Sequence, residues 1–209
     1  MKVIVFGATG TIGRLVVERG LADGHQVTAF ARKPEKLNIK NPDLTLLAGD
    51  AIDQVAVSNA VRGHDAVIIT LGSGMSRKSV IRSQGTSNII QGMHDHGVRR
   101  LICQSTLGAH ESWSNLNFFW KRIMFGLLLR PVFMDHELQE NLVRVSGLDW
   151  TLVRPGAFTD GPALGSFKEG FAADDRNLSL KISRADVAEF LKRQLSDESY
   201  LHRAVGLSY

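Results

Sequence analysis

The chain has 209 residues, 44% of them hydrophobic and 22% charged, which fits a globular α/β chain able to bury a continuous core and excludes a disordered one. Cys103 is the only cysteine, so no intrachain disulfide can form, and no apolar run reaches the length of a membrane span. The net charge of +4 favours anionic ligands. The basic pairs Arg32–Lys33, Arg77–Lys78, Arg99–Arg100 and Lys121–Arg122 are scattered rather than gathered on one face, which argues against nucleic acid.

Val3–Phe6 reads as a buried strand, followed by Gly7, Gly10 and Gly13 and by a helical apolar period with Ile12, Leu15 and Val16 on one face. Strand, glycine turn and helix together bring backbone N–H groups and a helix N-terminus against a phosphate, with Thr9, Thr11 and Ile12 completing the turn. The spacing is G-x-x-G-x-x-G, not the usual G-x-G-x-x-G. Ala22-Asp23-Gly24 stops the helix, and Gln26–Ala31 is the second strand. Pro34 opens a short helix through Leu37. Leu44–Ala48 is the third strand, leading into Gly49-Asp50-Ala51, and Asp53 caps a helix carrying Val57, Ala60 and Val61.

Ala66–Leu71 is a continuous apolar run and hence a fourth buried strand, ended by Gly72-Ser73-Gly74. A helix follows from about Val80 to His96. The fifth strand, Leu101–Gln104, ends at Ser105-Thr106, and helix signals return from Asp135 to Ser146. Trp150–Val153 is a sixth strand, ended by Arg154-Pro155-Gly156-Ala157. Ser183 and Asp186 have capping-box spacing before Val187, Phe190 and Leu191, and Ala204–Leu207 is a short last strand. Strands alternating with helices predict a doubly wound parallel sheet of six or seven strands with helices on both faces, and one domain spanning 1–209. Ligands in such sheets bind beyond the C-terminal strand ends.

The end of the second strand carries Arg32-Lys33 where an NAD site usually has a carboxylate. A guanidinium suits a 2′-phosphate, so NADP(H) is favoured over NAD(H), with Arg14 close enough in sequence to assist. The plainer reading leaves Arg32 and Lys33 solvated. Asp50 either accepts from adenine or caps a turn. Leu71, Gly72 and Ser73, with Pro155, Gly156 and Ala157, are expected to border the cofactor. Arg154, counted with them, is expected to tie the strand end to a neighbouring loop.

VIVFGATGTIG, FARKP, LAGD, DAVIITLGSG, GTSNII with HGVRRLI, SGLDWTLVRPGAFTDGP and ISRADVAEFL resemble the atypical short-chain dehydrogenase/reductases of the NmrA-like, NAD(P)H-binding group. Within it the chain is similar to flavin reductase and biliverdin-IXβ reductase proteins. The resemblance implies a Rossmann sheet and NADPH at the strand ends, and leaves reductases, epimerase-like enzymes and proteins that only bind the nucleotide all open.

Typical short-chain dehydrogenases use a Tyr-x-x-x-Lys pair as proton donor. The only tyrosines here are Tyr200 and Tyr209, and neither has the lysine. Ser105 and Thr106 remain to orient nicotinamide or acceptor, or simply cap the strand end. His136 is the best substitute proton donor by position. The plainer alternative has Asp135 capping its own helix and His136 pairing with Glu140. No other His or Cys clustering points to a metal. Leu107–Phe133 holds Trp113, Phe118, Phe119, Trp120, Met124 and Phe125, a substrate-covering insertion for a small planar ligand such as flavin or bilin, a helix packed on the core, or a peripheral membrane contact.

The expected function is an NADPH-dependent reductase of a flat conjugated acceptor (flavin, bilin or quinone). The alternatives are a non-catalytic NADP(H) sensor or assembly factor, or an NADP-retaining isomerase or epimerase. The short apolar run at MKVIVFGATG is no leader, so a cytoplasmic location is expected; the oligomeric state is open.

Overall fold

The computed structural model describes residues 1–74 and 80–209; the Arg77–Lys78 pair lies outside them. β1 (Lys2–Phe6), β2 (Gln26–Ala31), β3 (Leu44–Ala48), β4 (Ala66–Ile69), β5 (Arg100–Gln104), β6 (Asp149–Pro155) and β10 (Arg203–Ser208) run parallel, and the antiparallel strand β8 (Lys168–Glu169) closes one edge. The order is β3-β2-β1-β4-β5-β6-β10-β8. The sheet thus has eight strands rather than six or seven. β7 (Ala157–Thr159) and β9 (Lys181–Ser183) form a separate parallel pair. These added strands of two or three residues are too short for an alternation signal to appear in sequence.

Alternation of side chains along each strand divides the core in two. Val3 and Val5 of β1 join Ile102, Val153 and Phe190 under α1 (Thr11–Ala22) and α5 (Arg184–Arg193). Ile4 and Phe6 join Val61, Ile69, Met93 and Val143 on the opposite face, under α2 (Gln54–Val61), α3 (Ile81–His96) and α4 (Arg130–Arg144). Each such buried aliphatic or aromatic side chain contributes about 1.5–3 kcal/mol over an exposed one. Asp53 caps α2 as predicted, accepting from the N–H groups of Val55 and Ala56 at 3.0 and 3.1 Å.

Chain order reverses between β1 and β4, and ladder pairing there ends sooner than the apolar run. Thr70 leaves the strand, donating its N–H and hydroxyl to the Phe6 carbonyl at 2.9 and 3.0 Å. β4 therefore stops at Ile69, freeing Thr70–Gly74 to line the crevice. β6 runs longer than predicted because β10 pairs with it through Pro155.

α4 begins at Arg130, five residues before the predicted start, with Pro131 in its first turn, where the missing N–H costs nothing. Asp135 consequently lies inside α4 and caps a different helix. Its carboxylate accepts from the N–H groups of Arg82 and Ser83 at 3.1 and 3.0 Å, at the first turn of α3.

Candidate active site

The reversal point opens into a cavity of about 1140 Å³ at the C-terminal ends of the central strands. Its floor is the glycine turn. Gly7 has φ +83° and the Gly10 N–H closes the turn on the Gly7 carbonyl at 2.9 Å. A Cβ at Gly13 would lie 2.3 Å from the Gly7 oxygen and 2.7 Å from the Thr70 hydroxyl, so close packing of α1 on the sheet requires glycine there. Gly13 serves the turn from beneath and is not part of the cavity surface. Among the described residues no side chain caps α1, which leaves the N–H groups of its first turn, beginning at Thr11 and Ile12, for a ligand.

Gly7, Thr9, Gly10, Thr11 and Ile12 line the cavity together with Arg32, Asp50 and Ala51 from the ends of β2 and β3. Leu71, Gly72 and Ser73 line it beyond β4, Ser105 and Thr106 beyond β5, and Pro155, Gly156 and Ala157 at β6. His136 also faces it, from α4. Asp50 lines the cavity, and its carboxylate accepts from the Ile52 N–H at 3.3 Å, the turn-capping contact.

Besides Gly13, three predicted residues stand outside the cavity lining. Arg14 points along α1 and pairs with Glu18 at 2.9 Å, one helical turn on, because position 14 falls on the solvent face of that helix. Lys33 is exposed beyond Arg32 and outside the cavity lining. Arg154 is 2% exposed and turned away from the cavity, held by Glu140 of α4 at 2.8 and 2.5 Å and by Glu111 at 2.9 Å. Burial opposes its charge, and the bonds from Glu140 and Glu111 outweigh that and raise its pKa. It is the structural tie between β6, α4 and the loop after β5.

That pairing also removes Glu140 from His136. The imidazole is 8% exposed, and its Nδ1 has no hydrogen-bond partner among the described residues. Burial lowers its pKa to about 3, helped by the neighbouring Arg82 cation, while Gln139 pulls weakly the other way. Burial thus favours the neutral imidazole at His136. The Ser105 hydroxyl, 2% exposed, is likewise unpartnered, whereas Thr106 reaches the Leu107 carbonyl at 3.4 Å.

The segment after β5 supplies an apolar wall. A π-helical stretch, Phe119–Leu128, follows a 3₁₀ turn at His110–Asn115. Leu116, Trp120, Phe125 and Leu129 line the cavity. Phe125 stacks on Phe133 at 4.6 Å and meets Trp120 at 5.5 Å, so the lid has a small core of its own.

Sequence reasoning missed Arg82 and Arg184, both in the cavity lining. Arg82, inside a helix, gives no local signal, and it meets Ser73 at 3.3 Å and Asp135 at 3.7 Å. Arg184 sits in ISRAD, read only as a helix start; it pairs with Asp160 at 2.7 Å and lies over the Phe158 ring at 5.4 Å. Both tyrosines are engaged outside the cavity lining. The Tyr200 hydroxyl donates to Glu169 at 3.1 Å and that of Tyr209 to Asp186 at 2.5 Å. Among the described residues no group of three His, Cys, Asp or Glu is placed to hold a metal.

A parallel sheet whose reversal point meets a glycine turn and an uncapped helix N-terminus defines a Rossmann-type dinucleotide-binding protein. Residues 7–198 match the family described as NAD(P)H-binding, and the chain belongs to that family. An uncharacterized sugar epimerase of Bacillus subtilis, YhfK, is 29% identical over 217 residues, spanning 100% of this chain and 94% of its own. ChuY, an anaerobillin reductase from Escherichia coli O157:H7, is 24% identical with a TM-score of 0.80, covering 100% of this chain and 97% of its own. A Veillonella parvula short-chain dehydrogenase/reductase in complex with NADP is 17% identical with a TM-score of 0.84, covering 100% and 94%. The two solved structures establish likeness of fold.

Proposed function

We propose that the protein is an NADPH-dependent reductase that moves hydride to a flat conjugated acceptor such as a flavin, bilin or quinone. One observation carries this reading: a single cavity joins the glycine turn to the apolar wall of Leu116, Trp120, Phe125 and Leu129, with Ser105 and neutral His136 in its lining. Its volume of about 1140 Å³ exceeds the roughly 300–1,000 Å³ of a small-molecule site, leaving room for a dinucleotide and a second ligand. The residues present fit the dinucleotide. The first turn of α1 is uncapped, a Cβ at Gly10 would crowd the Gly7 oxygen at 3.1 Å, and the Ser105 hydroxyl is buried without a partner.

When bound, NADPH supplies the hydride. The chain's part is to bind and orient. Backbone N–H groups of α1 take the pyrophosphate, and Arg32, with Lys33 behind it, meets the 2′-phosphate in preference to the bare ribose of NAD(H). Asp50 takes the adenine edge, while Gly72, Ser73 and Pro155–Ala157 enclose the nicotinamide. Ser105 donates its free hydroxyl to nicotinamide or acceptor. His136 offers a neutral N–H, so the proton that follows hydride transfer comes from water. A conjugated acceptor tolerates that, because it spreads the charge it receives.

The likeness to YhfK, named for a sugar epimerase, and to ChuY, named for a bilin reductase, points in two directions. The engagement of both tyrosines with carboxylates favours the reductase, since alcohol and sugar chemistry needs a positioned proton donor. The test is steady oxidation of NADPH on adding a flavin, a bilin or a quinone, which supports the reading. Tight NADPH binding with no oxidation by any of the three overturns it in favour of a nucleotide sensor or assembly factor.

A further inference from the structure

The outer face of the lid is the least ordinary surface of the molecule. Phe118 and Leu127 are 73% and 72% exposed, and Phe119, Ile123 and Leu128 join them. On the π-helical stretch, Phe119, Ile123 and Leu127 recur every four residues and form an outward stripe, while Trp120 and Phe125 turn inward to the cavity. From Ser112 to Met134 the sequence holds Lys121, Arg122 and Arg130 and not one carboxylate. None of the three cations enters an ion pair among the described residues, and the Lys121 ammonium donates to the Ser114 carbonyl at 3.4 Å. At the rim, Arg176 also donates to that carbonyl, and Asp175 is occupied by Lys168 at 3.2 Å. Bulky apolar side chains interleaved with unpaired cations on a short amphipathic segment are the composition that lies in a membrane interface.

We infer that this face docks the protein onto an anionic lipid bilayer. The lid lies on the surface and does not cross it: among the described residues no helix is long and apolar enough to span a membrane. Charge decides against a second copy of the chain as occupant. A two-fold interface places a patch against itself, which would set these three cations against the same three. A surface of anionic headgroups instead complements them while the acyl boundary takes Phe118, Phe119 and Leu127. This assignment is independent of the hydride acceptor.

Co-sedimentation of the full chain with phosphatidylglycerol vesicles tests it. Binding is expected at low salt, weakening as salt rises, and absent with phosphatidylcholine alone. Arg122→Ala should weaken it about fivefold, the share of one basic residue near an anionic surface. Phe118→Ser and Leu127→Ser, at positions exposed enough to leave folding intact by circular dichroism, should weaken it further. Failure to bind anionic vesicles overturns the proposal, as does binding unaffected by these substitutions. A concentration-dependent dimer that the same substitutions dissolve, with no vesicle binding, also overturns it and assigns the face to a second copy.

Discussion

Glu140 and Arg154 illustrate what a buried ion pair does at this site. Both are almost without exposure, so each charge depends on the other for solvation. Glu140→Gln leaves the guanidinium facing only the half-exposed Glu111 and should cost about 3–5 kcal/mol in a urea titration. Because Arg154 immediately precedes Pro155 in the cavity wall, the same variant should also weaken NADPH binding. Equal stability in variant and wild type would show that the pair is dispensable. His136 gives a pH dependence of definite sign. Its pKa falls from 6.5 to about 3 in the folded chain, so the unfolded chain takes up a proton that the folded chain refuses. Stability should therefore decline as pH falls from about 6.5 toward about 3. Glu111, lowered from 4.5 to about 2 because its arginine contacts outweigh burial, adds a further loss below about 4.5. His136→Asn should flatten the upper limb of that profile and leave the lower one.

At the scale of elements, capping and lid packing determine what is presented to the cavity. Gly13→Ala would drive a methyl into the Gly7 carbonyl. It should abolish NADPH binding and lower the melting temperature, whereas Gly24→Ala, strained by its φ of +77° but with open space around it, should lower the melting temperature and spare NADPH binding. The C-terminus is held similarly: Asp186 accepts from the Tyr209 and Ser183 hydroxyls and from the N–H groups of Leu164 and Gly165. Tyr209→Phe should cost about 1–3 kcal/mol, the penalty for a lost bond to a charged acceptor, read as a lower denaturation midpoint. The predicted capping box is only half reciprocal, since the Ser183 N–H goes to the Tyr209 hydroxyl. Strand, glycine turn and first helix were legible because apolar period and glycine spacing are local. So was the Asp53 cap. Asp135 was assigned the wrong helix because its true partners, Arg82 and Ser83, lie 53 and 52 residues away. Arg154 was readable as structural, but its partner Glu140 was not. Arg82 and Arg184 become cavity residues only through tertiary placement.

At the scale of the whole molecule, the reversal of strand order between β1 and β4 opens the cavity, and the segment after β5 forms its apolar wall. If Trp120 and Phe125 wall the acceptor half, Trp120→Ala should raise the acceptor KM several-fold while leaving NADPH affinity unchanged; the reverse pattern would put the cofactor under the lid. If Arg32 meets the 2′-phosphate, Arg32→Glu should weaken NADPH binding relative to NADH by repelling that group, measured by comparing the two affinities. The central claim is that one cavity holds NADPH and a flat acceptor for direct hydride transfer. The most direct measurement follows the absorbance of protein-bound NADPH in a stopped-flow instrument on mixing with a flavin, a bilin or a quinone. The expected result is bleaching at a rate that saturates with at least one acceptor and slows severalfold when the transferred hydrogen is deuterium. Bound NADPH that stays unoxidised with all three would contradict it.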